Sequence, residues 1–362
     1  MGCEHVPEIE YSEFSKKLHD QGAKSRIPIV GMIDITTRCN LKCVHCYIRN
    51  TSFGNELTYQ EICHIFDQLA AEGCLWFCIS GGEPLVHPDF YDIYTYAKKK
   101  GFLITLFSNG TLLTQPVVEF LAEQPPFVLD ISLYGMTAET YEKVTGIPGS
   151  FARCINGIEL ALAYHLPVKL KIVLLTINRH ELYDFMRYAD KLGVTFRYDP
   201  KINPKVNGST EPLGYRLSPE EILSLERVDE RLAHALQQDC DRLWGNNSSD
   251  YLYACGAGVN SFHVTHDGKL NLCVISRQPG YDLRQGTFHE GFYSVIPKVL
   301  AQKRTRYSEC QSCPMINMCG QCPSWGELEH GDPEAKVEFL CQIAHLRTAA
   351  FKTGFLEVSN IN

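Results

Sequence analysis

Six runs of apolar, largely β-branched residues recur between residues 27 and 199: IPIVGMIDIT, LWFCIS, FLITLFS, FVLDISL, VKLKIVLLT and VTFRYD. Several are apolar almost without interruption, the pattern of strands covered on both faces. The segments between them carry helical periodicity. LTYQEICHIFDQLAAEG opens at Thr58 with Glu61 three residues on, the spacing of a capping box, and stops at Gly73. HPDFYDIYTYAKKKG begins with a proline and an aspartate and ends in three lysines, which suit a helix C-terminus. SPEEILSLERVDERLAHALQQ reads as one more helix. Strand and helix thus alternate six times from Pro28 to about Pro200, which predicts a parallel sheet with right-handed crossovers. Six units do not close the usual eight-stranded barrel. The expected α/β fold is an open, TIM-like partial (β/α)6 barrel.

Beyond Pro200 the alternation stops. KINPKVNGSTEPLGYRLS is rich in proline, glycine and asparagine and reads as a connecting loop. From about Asp250 the chain is rich in cysteine and glycine, with SFHVTHDGKLNLCV predicted to be a hairpin turning at Asp267-Gly268. The expected division is an N-terminal extension over 1–27, a core over 28–200, a linker and helical bridge over 201–250, and a small Cys-rich domain over 251–362. There is no internal repeat and no low-complexity tract.

A length of 362 residues with 44% hydrophobic content allows a large core domain and a small one. The formal net charge of −8 argues against nucleic acid as a main partner. No apolar run approaches the roughly 20 residues that span a bilayer. The start, MGCEHVPEIEYSEF, lacks the basic and apolar regions of a signal peptide. The expectation is a cytoplasmic protein without a membrane partner.

The sixteen cysteines change the picture. A reducing compartment disfavours a disulfide framework, and the spacing is uneven. Cys39, Cys43 and Cys46 form a C-x3-C-x2-C cluster after the first strand; Cys310, Cys313, Cys319 and Cys322 cluster late. Cys3, Cys63, Cys74, Cys78 and Cys154 lie in apolar surroundings and read as small core residues. Three thiolates suit an iron–sulfur cluster with one iron left open. The alternative at this point is zinc held by the same three cysteines and His45. The loop would lie at the C-terminal mouth of the sheet, where α/β sites form.

CNLKCVHCY resembles the signature of the radical S-adenosylmethionine (radical SAM) superfamily, C-x3-C-x-Φ-C, with His45 at the position that is often aromatic. SGGEP, Ser80 to Pro84, follows the second strand about forty residues after that loop and resembles the family's GGEP turn. FSNG after the third strand resembles its ribose-contacting segment. ISLYG and TINRH end the fourth and fifth strands. The resemblance covers about Pro28 to Pro200. It implies that Cys39, Cys43 and Cys46 hold a four-iron cluster whose open iron chelates SAM. Gly81, Gly82, Glu83, Pro84, Ser108, Asn109, Ser132 and Asn178 become its implied contacts. Two glycines at such a turn let backbone approach a ligand closely. Reductive cleavage of SAM would give a 5′-deoxyadenosyl radical that abstracts hydrogen from substrate.

The later cysteines resemble the seven-cysteine SPASM extension of peptide-modifying relatives. A departure is the third gap of the tight run, two residues here against the usual three. The resemblance implies a complete auxiliary cluster on Cys310, Cys313, Cys319 and Cys341. A second would rest on Cys255, Cys273 and Cys322 with its fourth ligand unassigned. Cys240 is a candidate for that place, although its position near the end of a helix favours burial. Zinc alone in C-x2-C-x5-C-x2-C is the rival reading.

His180, His263, His266, Tyr134 and Asp199 stand near strand ends or the domain junction, where substrate could be faced, and ordinary hydrogen-bonded roles compete. TAETYEKVTG reads as a helix start, with Lys143 a remote candidate for the SAM carboxylate. The reading is a radical SAM/SPASM oxidoreductase with SAM and three iron–sulfur clusters, acting on a ribosomally made peptide. Cross-linking is the leading chemistry. Its expected partners are that peptide, a reductase such as flavodoxin or ferredoxin, and a separate leader-binding protein. Only about thirty residues precede the first strand, too few for a fused leader-binding domain. The enzyme alternatives are a formylglycine-forming sulfatase maturase and a porphyrin or other small-molecule modifier. The non-enzyme alternative is a zinc metalloprotein.

Overall fold

The computed structural model describes residues 9–50, 55–245 and 249–354. Cys3 and the start of the chain, on which two expectations rested, lie outside the described residues. A helix, α1 (Tyr11–Ser25), precedes the first strand. The six expected strands all form: β1 (Val30–Asp34), β2 (Trp76–Ser80), β3 (Leu103–Ser108), β4 (Val128–Ser132), β5 (Val168–Val173) and β6 (Thr195–Asp199). They pair in parallel in chain order. Between them run α2 (Tyr59–Ala71), α3 (Phe90–Lys99), α4 (Gln115–Glu123), α5 (Ala138–Thr145), α6 (Ser150–Ala163) and α7 (Leu182–Leu192). The result is a partial β/α barrel.

Local chemistry accounts for the element ends. The Thr58 hydroxyl accepts the Glu61 N–H while the Glu61 carboxylate accepts the Thr58 N–H, the expected capping box of α2. Lys98 and Lys99 occupy the last turn of α3. Phe66 of α2 meets Phe77 of β2 edge to face at 5.2 Å, and Phe102 packs against both. Burial of such rings, Ile33, Ile79, Leu106, Ile131 and Leu170 makes the main core.

The helix read over 218–238 is two helices, α8 (Pro219–Val228) and α9 (Glu230–Leu243). Asp229 leaves the helical conformation with ψ at 97°, and its carboxylate accepts the Leu232 N–H. Capping a new helix wins over continuing the old one.

The hairpin expected at Asp267-Gly268 forms from β7 (Ser261–Val264) and β8 (Lys269–Asn271), with β9 (Pro279–Asp282) beside it. These strands do not form a sheet of their own. β7 pairs in parallel with β1, so one nine-stranded sheet runs β6-β5-β4-β3-β2-β1-β7-β8-β9. Gly31 of β1 makes room for this, since a Cβ there would strike the Phe262 ring.

The chain then runs from α10 (Phe288–Glu290) through a π-turn to α11 (Ile296–Leu300), followed by α12 (Ile316–Cys319), α13 (Pro323–His330) and α14 (Glu338–Phe351). Arg216 meets Glu329 of α13 at 2.9 Å, and Arg347 of α14 meets buried Glu226 of α8 at 2.9 Å. No helix among the described residues is long and apolar enough to cross a membrane.

Candidate active site

The loop of Cys39, Cys43 and Cys46 leaves the C-terminal end of β1 and is fixed from two sides. Backbone N–H groups of Lys42 and Val44 donate to the carbonyls of Thr145 and Val144, at the end of α5, at 2.8 and 3.0 Å. On the other side the GGEP turn is bonded to residues 36–38: Gly82 N–H to the Thr36 carbonyl at 2.8 Å, Glu83 N–H to the Arg38 carbonyl at 2.9 Å. A Cβ on Gly81 would run into the Thr36 carbonyl, and one on Gly82 into that of Arg38. Both glycines therefore serve a close approach of backbone to backbone. The pattern suggested an approach to ligand; the close neighbour seen is the root of the cysteine loop.

Glu83 is wholly buried. Its carboxylate accepts the Leu85 N–H at 3.3 Å, the Ser108 hydroxyl at 3.0 Å and the Asn109 N–H at 2.7 Å. Burial pushes its pKa up to about 7 although these donors and Lys171 pull it down. Pro84 begins the short 3-10 turn that follows. Asn109 in turn reaches the cysteine loop. Its amide donates to Asn40 Oδ1 at 2.9 Å and lies 3.8 Å from Cys39 Sγ, while its Oδ1 accepts from Thr111. Cys39, Asn40, Glu83, Ser108 and Asn109 thus form one connected group across the ends of β1, β2 and β3.

The three thiols stand within electrostatic reach of one another. Burial raises all three, Cys39 to about 11 although the residue itself is exposed at the surface. Backbone N–H groups already point at two of the sulfurs: Leu41 at Cys39, Ile48 and Arg49 at Cys46. Such bonds favour thiolate. The His45 ring packs edge-on to Tyr134 at 4.9 Å, burial lowers its pKa to about 4, and its Nδ1 is buried with no hydrogen-bond partner among the described residues. Among the described residues no three His, Cys, Asp or Glu side chains converge on a single-ion site. Three soft thiolates on one loop fit the donor set of an iron–sulfur cluster, in which each takes its own iron.

Ser132 lies half-buried at the end of β4 beside Tyr134, whose phenol faces the thiols. Asn178 is fully buried and braced by protein: its amide donates to the Tyr134 and Val173 carbonyls, and its Oδ1 accepts the Leu175 N–H. His180, Asp199 and Lys143 are exposed.

The late cysteines sort into two groups in space. Cys319 neighbours Cys310, Cys313 and Cys341. Cys322 neighbours Cys273 and Cys255. N–H groups point at sulfur here too, from Ile275 and Ser276 to Cys273 and from Ser324 and Trp325 to Cys322. Cys240 stands apart: it is buried on α9 with its thiol toward the Arg347 carbonyl at 3.9 Å. Cys74 and Cys154 are core residues as expected, and Cys63 and Cys78 are half-buried.

Sequence reasoning missed the polar lumen of the barrel. Asp130 meets Arg197 at 2.8 Å and Lys171 at 3.7 Å; the Lys171 ammonium sits 3.0 Å from the Phe107 ring centroid. Burial lowers Lys171 to about 8. Their strand positions alternate inward, which period-2 reading could have flagged. His263, noted earlier only as a polar candidate, is buried on β7 with Nε2 3.0 Å from Asp34 Oδ2.

Residues 33–189 match the Radical SAM superfamily. The chain is 36% identical over 162 residues to the AdoMet-dependent heme synthase of Methanosarcina barkeri, a match over 44% of this chain and 46% of that protein. It is 26% identical over 311 residues to the antilisterial bacteriocin subtilosin biosynthesis protein AlbA of Bacillus subtilis, over 82% of this chain and 67% of that one. The fold is similar to the crystal structure of Streptococcus suis SuiB bound to precursor peptide SuiA, with a TM-score of 0.70 at 17% identity over 94% of this chain and 84% of that one. The chain spans about half the length of the first curated relatives it matches.

Proposed function

The chain belongs to the radical SAM superfamily and carries a SPASM-like C-terminal region, and on that premise we propose that it is a peptide-modifying enzyme. Cys39, Cys43 and Cys46 would hold the SAM-binding cluster. When bound, cluster and SAM together supply the 5′-deoxyadenosyl radical that takes hydrogen from substrate. The chain's own part is placement. Glu83 locks the GGEP turn to the Ser108-Asn109 turn, and Asn109 steadies the Cys39 end of the cysteine loop. Gly81, Gly82, Pro84 and Ser132 complete the strand-end rim against which SAM would lie, and buried Asn178 braces the Tyr134 segment behind it. The observation that carries the reading is this bonded group, in which the ends of β1, β2 and β3 meet at Cys39.

The domain division at 28–200 and 251–362 belongs to the same proposal, with auxiliary clusters on Cys310, Cys313, Cys319 and Cys341 and on Cys255, Cys273 and Cys322. A peptide substrate is supported by the bacteriocin-biosynthesis relative, whose alignment runs on into the Cys-rich region over 82% of the chain. A reductase would deliver the electron. The identity to a heme synthase favours a second reading, a porphyrin substrate. Anaerobically reconstituted protein with dithionite and SAM should release 5′-deoxyadenosine, and a colourless protein that releases none would sink the proposal. An iron porphyrin that shifts its absorption band on mixing and raises 5′-deoxyadenosine output would favour the second reading over the first.

A further inference from the structure

Beside the cysteine loop lies a cavity of about 100 Å3. Asp34 at the end of β1, Thr37, and His266, Asn271 and Arg277 from the hairpin region line it. Three of these side chains bring polar atoms that are buried and have no partner among the described residues: Asp34 Oδ1, His266 Nε2 and Arg277 Nε. Asp34 is 4% and His266 6% exposed, so neither can turn to solvent. A buried polar atom left unpaired costs about 1–3 kcal/mol. Three around one small space make a built site that asks for a polar occupant.

The remaining charges are already satisfied. Asp34 Oδ2 is taken by His263 at 3.0 Å, Lys269 by Asp282 at 2.7 Å, and Asp267 Oδ1 by the Thr265 hydroxyl at 2.5 Å. Buried without a partner are one carboxylate oxygen, the Nε–H of a guanidinium and one imidazole nitrogen. A metal ion would face Arg277. An anion would face Asp34 and Asp267. A cation alone would leave the Arg277 N–H unmet. A neutral group with a donor at one end and an acceptor at the other meets the two charged side chains, and leaves His266 Nε2 to a water beside it. We propose that this cavity is a carboxamide subsite, with Arg277 Nε–H donating to the amide oxygen and Asp34 Oδ1 accepting the amide N–H. As part of the enzyme it would hold one amide of the substrate next to the cysteine loop; that role rests on the peptide reading.

The test soaks crystals of the reconstituted holoenzyme in N-methylacetamide, which stands for a peptide backbone unit, in acetamide, which stands for an Asn or Gln side chain, or in either with equimolar acetate. The expected result is an amide in the cavity, oxygen toward Arg277 Nε and nitrogen toward Asp34 Oδ1, retained against acetate and lost in Arg277→Met. Preference for N-methylacetamide assigns the subsite to backbone; preference for acetamide assigns it to a side chain. Asp34→Asn, which keeps the shape and an acceptor for His263, should also lose the amide if Arg277→Met does not fold. Waters only, acetate in place of the amide, binding at crystal concentration only with no loss in either variant, or an amide held elsewhere would each overturn the subsite. The readout is occupancy, so a protein that cleaves SAM on a non-peptide substrate would fail the peptide reading and leave this result standing.

Discussion

The Glu83 carboxylate accepts the backbone N–H of Asn109 at 2.7 Å, and through that bond the end of β2 is tied to the end of β3. The Ser108 hydroxyl and the Leu85 N–H share the same carboxylate. Glu83→Ala removes the acceptor from all three buried donors at about 1–3 kcal/mol each. The expected loss is roughly 3 kcal/mol or more in denaturant unfolding. Ser108→Ala, which removes one of the three donors to Glu83 and the acceptor of the Gly110 N–H, should cost about 2 kcal/mol. Equal effects from the two would show that Glu83 does not anchor the turns.

Asn109→Ala tests the other end of the same chain of bonds. It removes the amide that reaches Asn40 and Cys39 while leaving the three thiols in place. SAM affinity should fall by about ten- to a hundredfold, the worth of a hydrogen bond to a charged ligand. Iron content should not change. Titration calorimetry against metal analysis separates the two, and unchanged affinity would mean that Asn109 neither touches SAM nor shapes its site.

Glu83 also predicts a pH dependence. Its pKa rises from 4.5 unfolded to about 7 in the fold because burial penalises the charge. The folded chain therefore holds an extra proton between those values. Glu83's contribution is full below about pH 4.5 and lost as pH rises through 7, a change of about 3 kcal/mol. His45 acts in the opposite sense, since its pKa falls to about 4 and stability drops as pH falls from 6.5. The difference between wild type and Glu83→Gln, measured from pH 4.5 to 7.5, isolates the first effect. A constant difference across that range would rule it out.

Much of this was legible because it is local. The capping box at Thr58 and Glu61, the apolar strands and the cysteine spacings act over a few residues, and each left its mark in order along the chain. Relations between distant segments left none. Nothing near Ser261 says that β7 will pair with Val30, because the pairing depends on a glycine at position 31 that admits the Phe262 ring. Asp229 interrupts a sound helical period because a carboxylate that can cap Leu232 competes with the helix it sits in. The glycines of the GGEP turn were recognisable, yet their near neighbours, Thr36 and Arg38, became visible only in three dimensions. Asp34, His266 and Arg277 share no spacing at all.

Replacing Cys39, Cys43 and Cys46 together with Ala should abolish 5′-deoxyadenosine formation. If all three proposed clusters have four irons, iron should fall by about one third, because neither later cysteine group shares a ligand with this loop. Retained SAM cleavage in the triple variant would remove the loop from the chemistry.

Cys240 and Cys322 make the sharpest pair for the C-terminal region. Both are cysteines near helix ends; Cys322 is one of the three proposed ligands, and a count of ligands alone leaves room for Cys240 as the fourth. Their surroundings differ. The Cys240 thiol is turned to the Arg347 carbonyl between α9 and α14, whereas the Cys322 thiol receives N–H groups from Ser324 and Trp325 and faces Cys273 and Cys255. Cys240→Ala should keep full iron content and the electron-spin-resonance signals of the reduced protein, at a modest cost in stability from a small cavity. Cys322→Ala should lose up to a third of the iron, lose product, and still permit some uncoupled SAM cleavage. Loss of a cluster can unfold a small Cys-rich region, so circular dichroism must first show that Cys322→Ala keeps the fold. Cys322→Ser, with oxygen in place of sulfur, offers a milder variant that should shift the signal without emptying the site. Iron lost from Cys240→Ala but not from Cys322→Ala would reverse the assignment and make the helix cysteine the ligand.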